Sequence, residues 1–165
     1  MGAPADEQRN ILVLLRSRDA EEFDVETLLG WMAHENAEIR DWATFNLGTQ
    51  TDEDSIDVRQ ALADRLVDPD GDTRSEALVA LARRRDVRAL APLIDALNGD
   101  TVDRLMVEAA GYFSRPELVE PLQSLRGWWD DEDEYDARLL ADALLACRTG
   151  AIPSTFFDLI TANDG

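Results

Sequence analysis

Four segments of this chain repeat one pattern, and that repetition constrains the fold more than any other feature. EIRDWATFNLG, DTRSEALVALA, VDRLMVEAAGY and DARLLADALLA align on Arg40, Arg74, Arg104 and Arg138, which are 34, 30 and 34 residues apart. Three residues after each Arg stands Ala43, Ala77, Val107 or Ala141, and seven after it Leu47, Leu81, Gly111 or Leu145. Those offsets fall on one stripe of an α-helix, and small side chains on the stripe let a neighbouring helix come close. A second amphipathic segment precedes each of these: VETLLGWM, VRQALADRL, LAPLIDAL and LVEPLQSL align on Leu28, Leu62, Leu93 and Leu122. Met32, Leu66, Leu97 and Leu125 then align about one turn later.

The unit is therefore helix A, a short turn, helix B, and a step to the next pair. Pro92 and Pro121 match in register, early in their A helices, where a missing N–H is tolerated. Asn36, Asp72 and Asp100 are the expected caps of the first three B helices, and Ser55 and Ser114 those of the second and fourth A helices. Asp54 and Asp57 suit the positive end of the helix begun at Ser55. Gly71, Gly99 and Pro69 punctuate the A-to-B turns. No run of alternating β-branched residues is long enough for a strand.

The expected fold is all-α: an α-solenoid of about four helix pairs in one repeat domain spanning 1–165. Residues 24–150 hold the repeats. Segments 1–20 and 151–165 are terminal helices that cover the apolar ends of the stack. Ile11, Leu12, Leu14 and Leu15 supply the burying face of the first, and Phe156, Phe157, Leu159 and Ile160 that of the second.

DPDGDTRSEALVALARRRDVRALAPLIDAL resembles the HEAT-like repeats also found in phycobilin-attaching lyases. It has an acidic-Pro turn, an x-R-x-x-A-x-x-x-L helix, and a short step into A-x-P-L-I-x-A-L. The resemblance is closest over 57–113 and traceable over 24–150. It implies a scaffold that binds other proteins, with the B helices on the inner face. The chain departs from the pattern twice. Val107 and Gly111 replace Ala and Leu in the third B helix, and the fourth turn is longer: Leu125 to Arg138 is 13 residues, against 7 from Leu97 to Arg104.

Composition narrows the chemistry. The 165 residues carry 35 acidic and 16 basic side chains, a formal net charge of −19, and every basic residue is Arg. The absence of Lys removes Schiff-base and P-loop Lys chemistry. The negative balance opposes nucleic acid and anionic membrane as partners, and suits a basic protein. At 45% apolar residues the chain can still build a core. A lone Cys147 forms no internal disulfide, no signal peptide is visible, and the expected setting is cytoplasmic.

Motif readings mostly fail. DPDGD places Asp68, Asp70 and Asp72 as in a calcium loop, but Thr73 and Val79 stand where Gly and Glu are required. His34 has no second His for a zinc site or a triad. Cys147 reads as a packed thiol, RRRDVR as an exposed turn, and the aligned Arg residues as an ion-pair ladder with acids of adjacent turns. No cofactor and no metal is expected.

Two places combine aromatic anchors with acids. The lengthened turn holds Trp128, Trp129, Asp130, Asp131, Glu132 and Asp133. Its carboxylates would steer a basic partner onto the Trp pair; alternatively the Trp residues pack beneath the fourth repeat. The outward B-helix positions hold Asp41, Trp42, Phe45, Glu76, Glu108 and Tyr112. Trp42 and Phe45 there make either a recognition spot or a contact with the N-terminal helix. The expected function is a non-enzymatic protein-binding module, monomeric when unbound, that engages a basic protein as an inhibitor or immunity-type protein. The alternatives are an accessory to bilin attachment, carried by the resemblance alone, a generic scaffold, an enzyme such as a helical-repeat glycosylase, or acidity that serves only solubility or salt adaptation.

Overall fold

A computed structural model of the chain describes residues 4–17, 22–129 and 133–163. Among the described residues there are ten α-helices and no strand. Helix α1 (Ala5–Leu15) precedes four pairs: α2 (Val25–Met32) with α3 (Ala37–Thr49), α4 (Ile56–Arg65) with α5 (Gly71–Arg83), α6 (Leu90–Leu97) with α7 (Arg104–Phe113), and α8 (Val119–Ser124) with α9 (Glu134–Thr149). Helix α10 (Ser154–Asn163) follows. Short 3-10 turns, Val87–Ala89 and Pro116–Leu118, lead into α6 and α8. Pro92 and Pro121 are each the third residue of their helix, as the register required.

The caps follow from side-chain oxygens, though not always the expected ones. Asn36 accepts from the N–H groups of Glu38 and Ile39, and Ser55 from that of Val58. For α5 the cap is Asp70, which takes both the N–H and the hydroxyl of Thr73 at 2.8 Å; Asp72 lies within the first turn. For α7 it is Asp103, not Asp100, that accepts from Met106. These turns hold several acids in a row, and only the backbone path selects which one reaches a free N–H. Ser114 is no cap of the fourth A helix. Its φ of 54° ends α7, and its hydroxyl donates to the Gly111 carbonyl at 2.7 Å.

Two compact units divide the chain at residues 81 and 82. In the first, α1 and α2 pack on α3, and α2 packs on α4. Leu28, Ile39, Ala43, Leu47 and Leu62 are fully buried. Gly48 lies against Ala80, where a Cβ on it would collide with the Ala methyl, so helices α3 and α5 meet at van der Waals distance. Helix α1 buries Leu15, and Asn46 donates to the Leu15 carbonyl at 3.0 Å. Leu14, expected inside, points outward with Val13.

In the second unit α7 and α8 pack on α9, and α10 closes on α9. Leu93, Val107, Leu122, Leu139 and Phe156 form its core. Here one alignment is corrected. The buried face of α9 is Leu139, Leu140, Ala143, Leu144, Ala146 and Cys147, while Ala141 and Leu145 are exposed. Ala143 and Cys147 thus occupy the places of Val107 and Gly111, and Leu140 rather than Arg138 is the counterpart of Arg104. The apolar stripe sets helix rotation, and the lengthened turn shifts the chain by two residues. Phe156 is buried as expected, whereas Phe157 stays 46% exposed.

Candidate functional site

In the first unit, Asp41, Trp42, Phe45 and Glu76 line a pocket of about 200 Å³. Helix α3 supplies the first three: Asp41 and Trp42 stand four and three residues before Phe45, so each is its neighbour on the helix surface. Helix α5 supplies Glu76 from across the groove. Trp42 and Phe45 are edge to face, with centroids 5.8 Å apart and planes at 89°. Both are half-buried, so each ring is held while part of it meets solvent. The Arg16 guanidinium, at the end of α1, sits 5.9 Å from the Trp42 ring centre and bonds to Glu38, one turn before Trp42.

Asp41 is the unusual member. Its Oδ1 is shielded from solvent and has no hydrogen-bond partner among the described residues. Burial, then the charges of Asp72, Asp70 and Glu38, push its carboxyl up to about 6. The neighbours are fixed differently. Asp70 is held below the usual carboxylate range by the N–H and hydroxyl of Thr73. The pocket is therefore a negative site with two aromatic walls and an under-compensated carboxylate, an arrangement that attracts a cation.

The remaining sequence-predicted residues lie in the second unit. Glu108 is half-buried on α7. Tyr112 is packed by its own chain: the Phe156 and Phe157 rings lie 5.4 and 5.9 Å away, and the Arg83 guanidinium lies 5.2 Å from its ring centre. Trp129 is half-buried and donates its indole N–H to the Val102 carbonyl at 2.6 Å, whereas Trp128 is 50% exposed. Asp133 caps α9 and accepts from Arg104 at 2.8 Å. Asp130, Asp131 and Glu132 lie outside the described residues. Cys147 is buried; desolvation pushes its thiol up to about 11, and it donates to the Ala110 carbonyl, so the packed, unreactive reading fits.

The contact of Trp42 with the N-terminal helix, one of the two readings of that position, is made by Arg16, which lies outside the aligned repeats. The raised Asp41 carboxyl is not legible in the sequence, because its neighbours Asp70 and Asp72 come from a turn that reads there as a cap and a failed calcium motif.

The HEAT-repeat family model matches residues 25–111, which covers the site. The chain belongs to the HEAT-repeat family. Among its relatives are the YibA proteins of Escherichia coli K12 and O157:H7, each 30% identical over 106 residues. That stretch is 64% of this chain and 38% of each relative, so the chain matches well under half of their length. A crystal structure of Escherichia coli YibA superposes with a TM-score of 0.69 at 21% identity, covering 87% of this chain and 56% of that one. The fold is thus an α-solenoid of HEAT repeats, a class built mainly for scaffolding. No helix among the described residues is long and apolar enough to cross a membrane.

The first two HEAT repeats of this chain share a device that the alignment only hinted at. Arg40 sends Nη1 to the carbonyls of His34 and Glu35, six and five residues back. Arg74 sends Nη1 to those of Asp68 and Pro69, at the same offsets. Each Arg thereby ties its B helix to carbonyls just past its A helix. The ladder to the following turn also exists: Arg40 reaches Asp68, and Arg104 reaches Asp133 and Asp136. Arg40, Arg74 and Arg104 are thus occupied by repeat structure, which leaves the Trp42 pocket as the site not explained by the scaffold.

Proposed function

We propose that this HEAT-repeat chain is a non-enzymatic protein-binding module that docks a basic protein on the acidic, aromatic face of its first unit. The observation that carries this reading is the pocket of Trp42 and Phe45 between Asp41 and Glu76. Half-buried aromatic residues with acids beside them match the make-up of a binding hot spot, and a net charge of −19 steers a cationic partner toward it. Trp128, half exposed beside the acidic turn, is a second anchor. A small acidic protein acting this way suits an inhibitor or immunity-type role, masking a basic toxin or nuclease, with the unbound module monomeric and working in the cytoplasm.

The test is capture from the source cells, followed by reconstitution with the purified captured protein. A basic protein is expected, bound at least about tenfold more weakly at about 0.5 M than at about 0.05 M salt. Trp42→Ala should weaken it by about tenfold or more. Affinity indifferent to salt, or unchanged in the Trp42 variant, would overturn the reading.

A further inference from the structure

We propose that the Asp41–Trp42–Phe45–Glu76 pocket receives a single arginine side chain, its guanidinium against the aromatic rings and its N–H donors on the two carboxylates. This deepens the binding role proposed above and rests on it for the arginine's source. The choice among cations follows from the walls. Calcium and magnesium want six or more oxygens and zinc wants His or Cys ligands, whereas the pocket supplies two carboxylates and two rings. A quaternary ammonium is best enclosed by a cage of aromatic faces, whereas here two rings stand perpendicular and acids complete the lining. A lysine ammonium is a compact, strongly hydrated point charge with no plane to lay on a ring. A guanidinium offers a face for the ring and an edge of donors for the acids at once.

The molecule already builds this arrangement internally. In the second unit the Arg104 guanidinium lies 5.0 Å from the Tyr135 ring centre while donating to Asp133 and Asp136. In the first, Arg16 pairs with Glu38 while its guanidinium lies over the Trp42 ring, 5.9 Å from its centre. The pocket has the same components, with an Asp41 oxygen left without a hydrogen-bond partner among the described residues. A carboxylate kept there without a countercharge destabilises the fold. An arriving guanidinium removes that penalty, so the cost is recovered only in the complex.

The probe is N-acetyl-arginine amide, titrated into the isotope-labelled 165-residue chain and followed by NMR. The lysine analogue and the neutral, isosteric citrulline analogue are run alongside. The Trp42 indole N–H and the amides of Asp41, Phe45 and Glu76 should shift saturably with arginine, while the Trp128 indole stays still. The lysine analogue should bind at least about threefold more weakly, and the citrulline analogue should give no saturable shift. Asp41→Asn, with an otherwise unchanged spectrum, should weaken arginine by about tenfold. Equal binding of lysine or citrulline, no saturable shift with arginine, or an unaffected Asp41 variant would overturn the assignment. Because the probe needs no partner, arginine binding without any basic protein captured refutes only the proposed function. A basic partner that needs Trp42 while the probe fails refutes only the arginine pocket.

Discussion

Arg40 and Asp68 form a two-pronged ion pair across successive repeats: Nε and Nη2 each lie 2.9 Å from a carboxylate oxygen of a side chain with no solvent exposure. Burial pushes the Asp68 carboxyl up. The hydrogen bonds of Arg40, the Asp70 N–H and the charges of Arg40 and Arg65 outweigh this and hold it below its ordinary value.

Breaking that pair leaves a buried guanidinium uncompensated, so Asp68→Ala should cost about 3–5 kcal/mol in urea unfolding. Arg40→Lys should recover little of this in the reverse test, because an ammonium cannot fork onto the acid and hold two carbonyls together. The folded carboxyl lies below its unfolded value. The stabilisation is therefore present above the usual carboxylate range and lost as pH falls through the folded value. The gap between wild type and Asp68→Ala should accordingly narrow in strong acid.

Gly111 interrupts the repeat pattern to admit Phe156. A Cβ on Gly111 would collide with the Phe156 ring, which is fully buried against it. Helix propensity alone favours Gly111→Ala by about 1 kcal/mol. Overpacking should reverse the sign, for a net loss of about 1–3 kcal/mol. Phe156→Leu in the same chain should restore part of that loss. An additive double-mutant cycle would show that ring and glycine are not coupled.

The two tryptophans of the long turn both donate an indole N–H to a backbone carbonyl and should separate by their burial. Trp129→Phe removes a donor to the Val102 carbonyl and should cost about 1 kcal/mol or more in thermal unfolding. Trp128→Phe also removes an indole donor, to the Ser124 carbonyl at 2.8 Å, but at a half-exposed ring where water can take the partner's place, so it should stay within about 0.5 kcal/mol of wild type. Equal losses would place both rings in the same packing role.

These residues also mark how far the sequence alone could be followed. The helix pairs were readable because Leu28, Leu62, Leu93 and Leu122 recur once per repeat, each on the apolar stripe of its A helix, and all four are buried. Rotation of α9 was not, because Arg138 offered a false anchor while the apolar stripe beginning at Leu139 held the true one. Gly111 was visible as a departure, but its cause lies 45 residues on, in a helix whose docking no local pattern specifies. Trp42, Phe45 and Glu76 were readable as a candidate site from residue type and register. The electrostatics of Asp41 were not, since they depend on acids that another turn folds beside it.

Asp41 makes the last prediction, in which stability and binding move in opposite directions. Its carboxyl is raised to about 6 by burial first and then by Asp72, Asp70 and Glu38. A folded value above the unfolded one means that the native state binds the extra proton. Its contribution is present below the ordinary Asp value near 3.8 and lost as pH rises through about 6. Asp41→Asn should therefore raise stability at pH 7, by about 1 kcal/mol once partial solvent screening is allowed for, and change it little near pH 4. Arginine needs the charged form, so probe affinity should fall as pH drops from 7 to 5. Glu38, Asp70, Asp72, Glu76 and Arg16 surround the same site, so wild type alone does not assign the effect. In Asp41→Asn the pH dependence should flatten while the residual binding stays weak. A variant that keeps the wild-type pH profile, or that is less stable at pH 7, would show that Asp41 is neither the titrating group nor a site held at a cost to the fold.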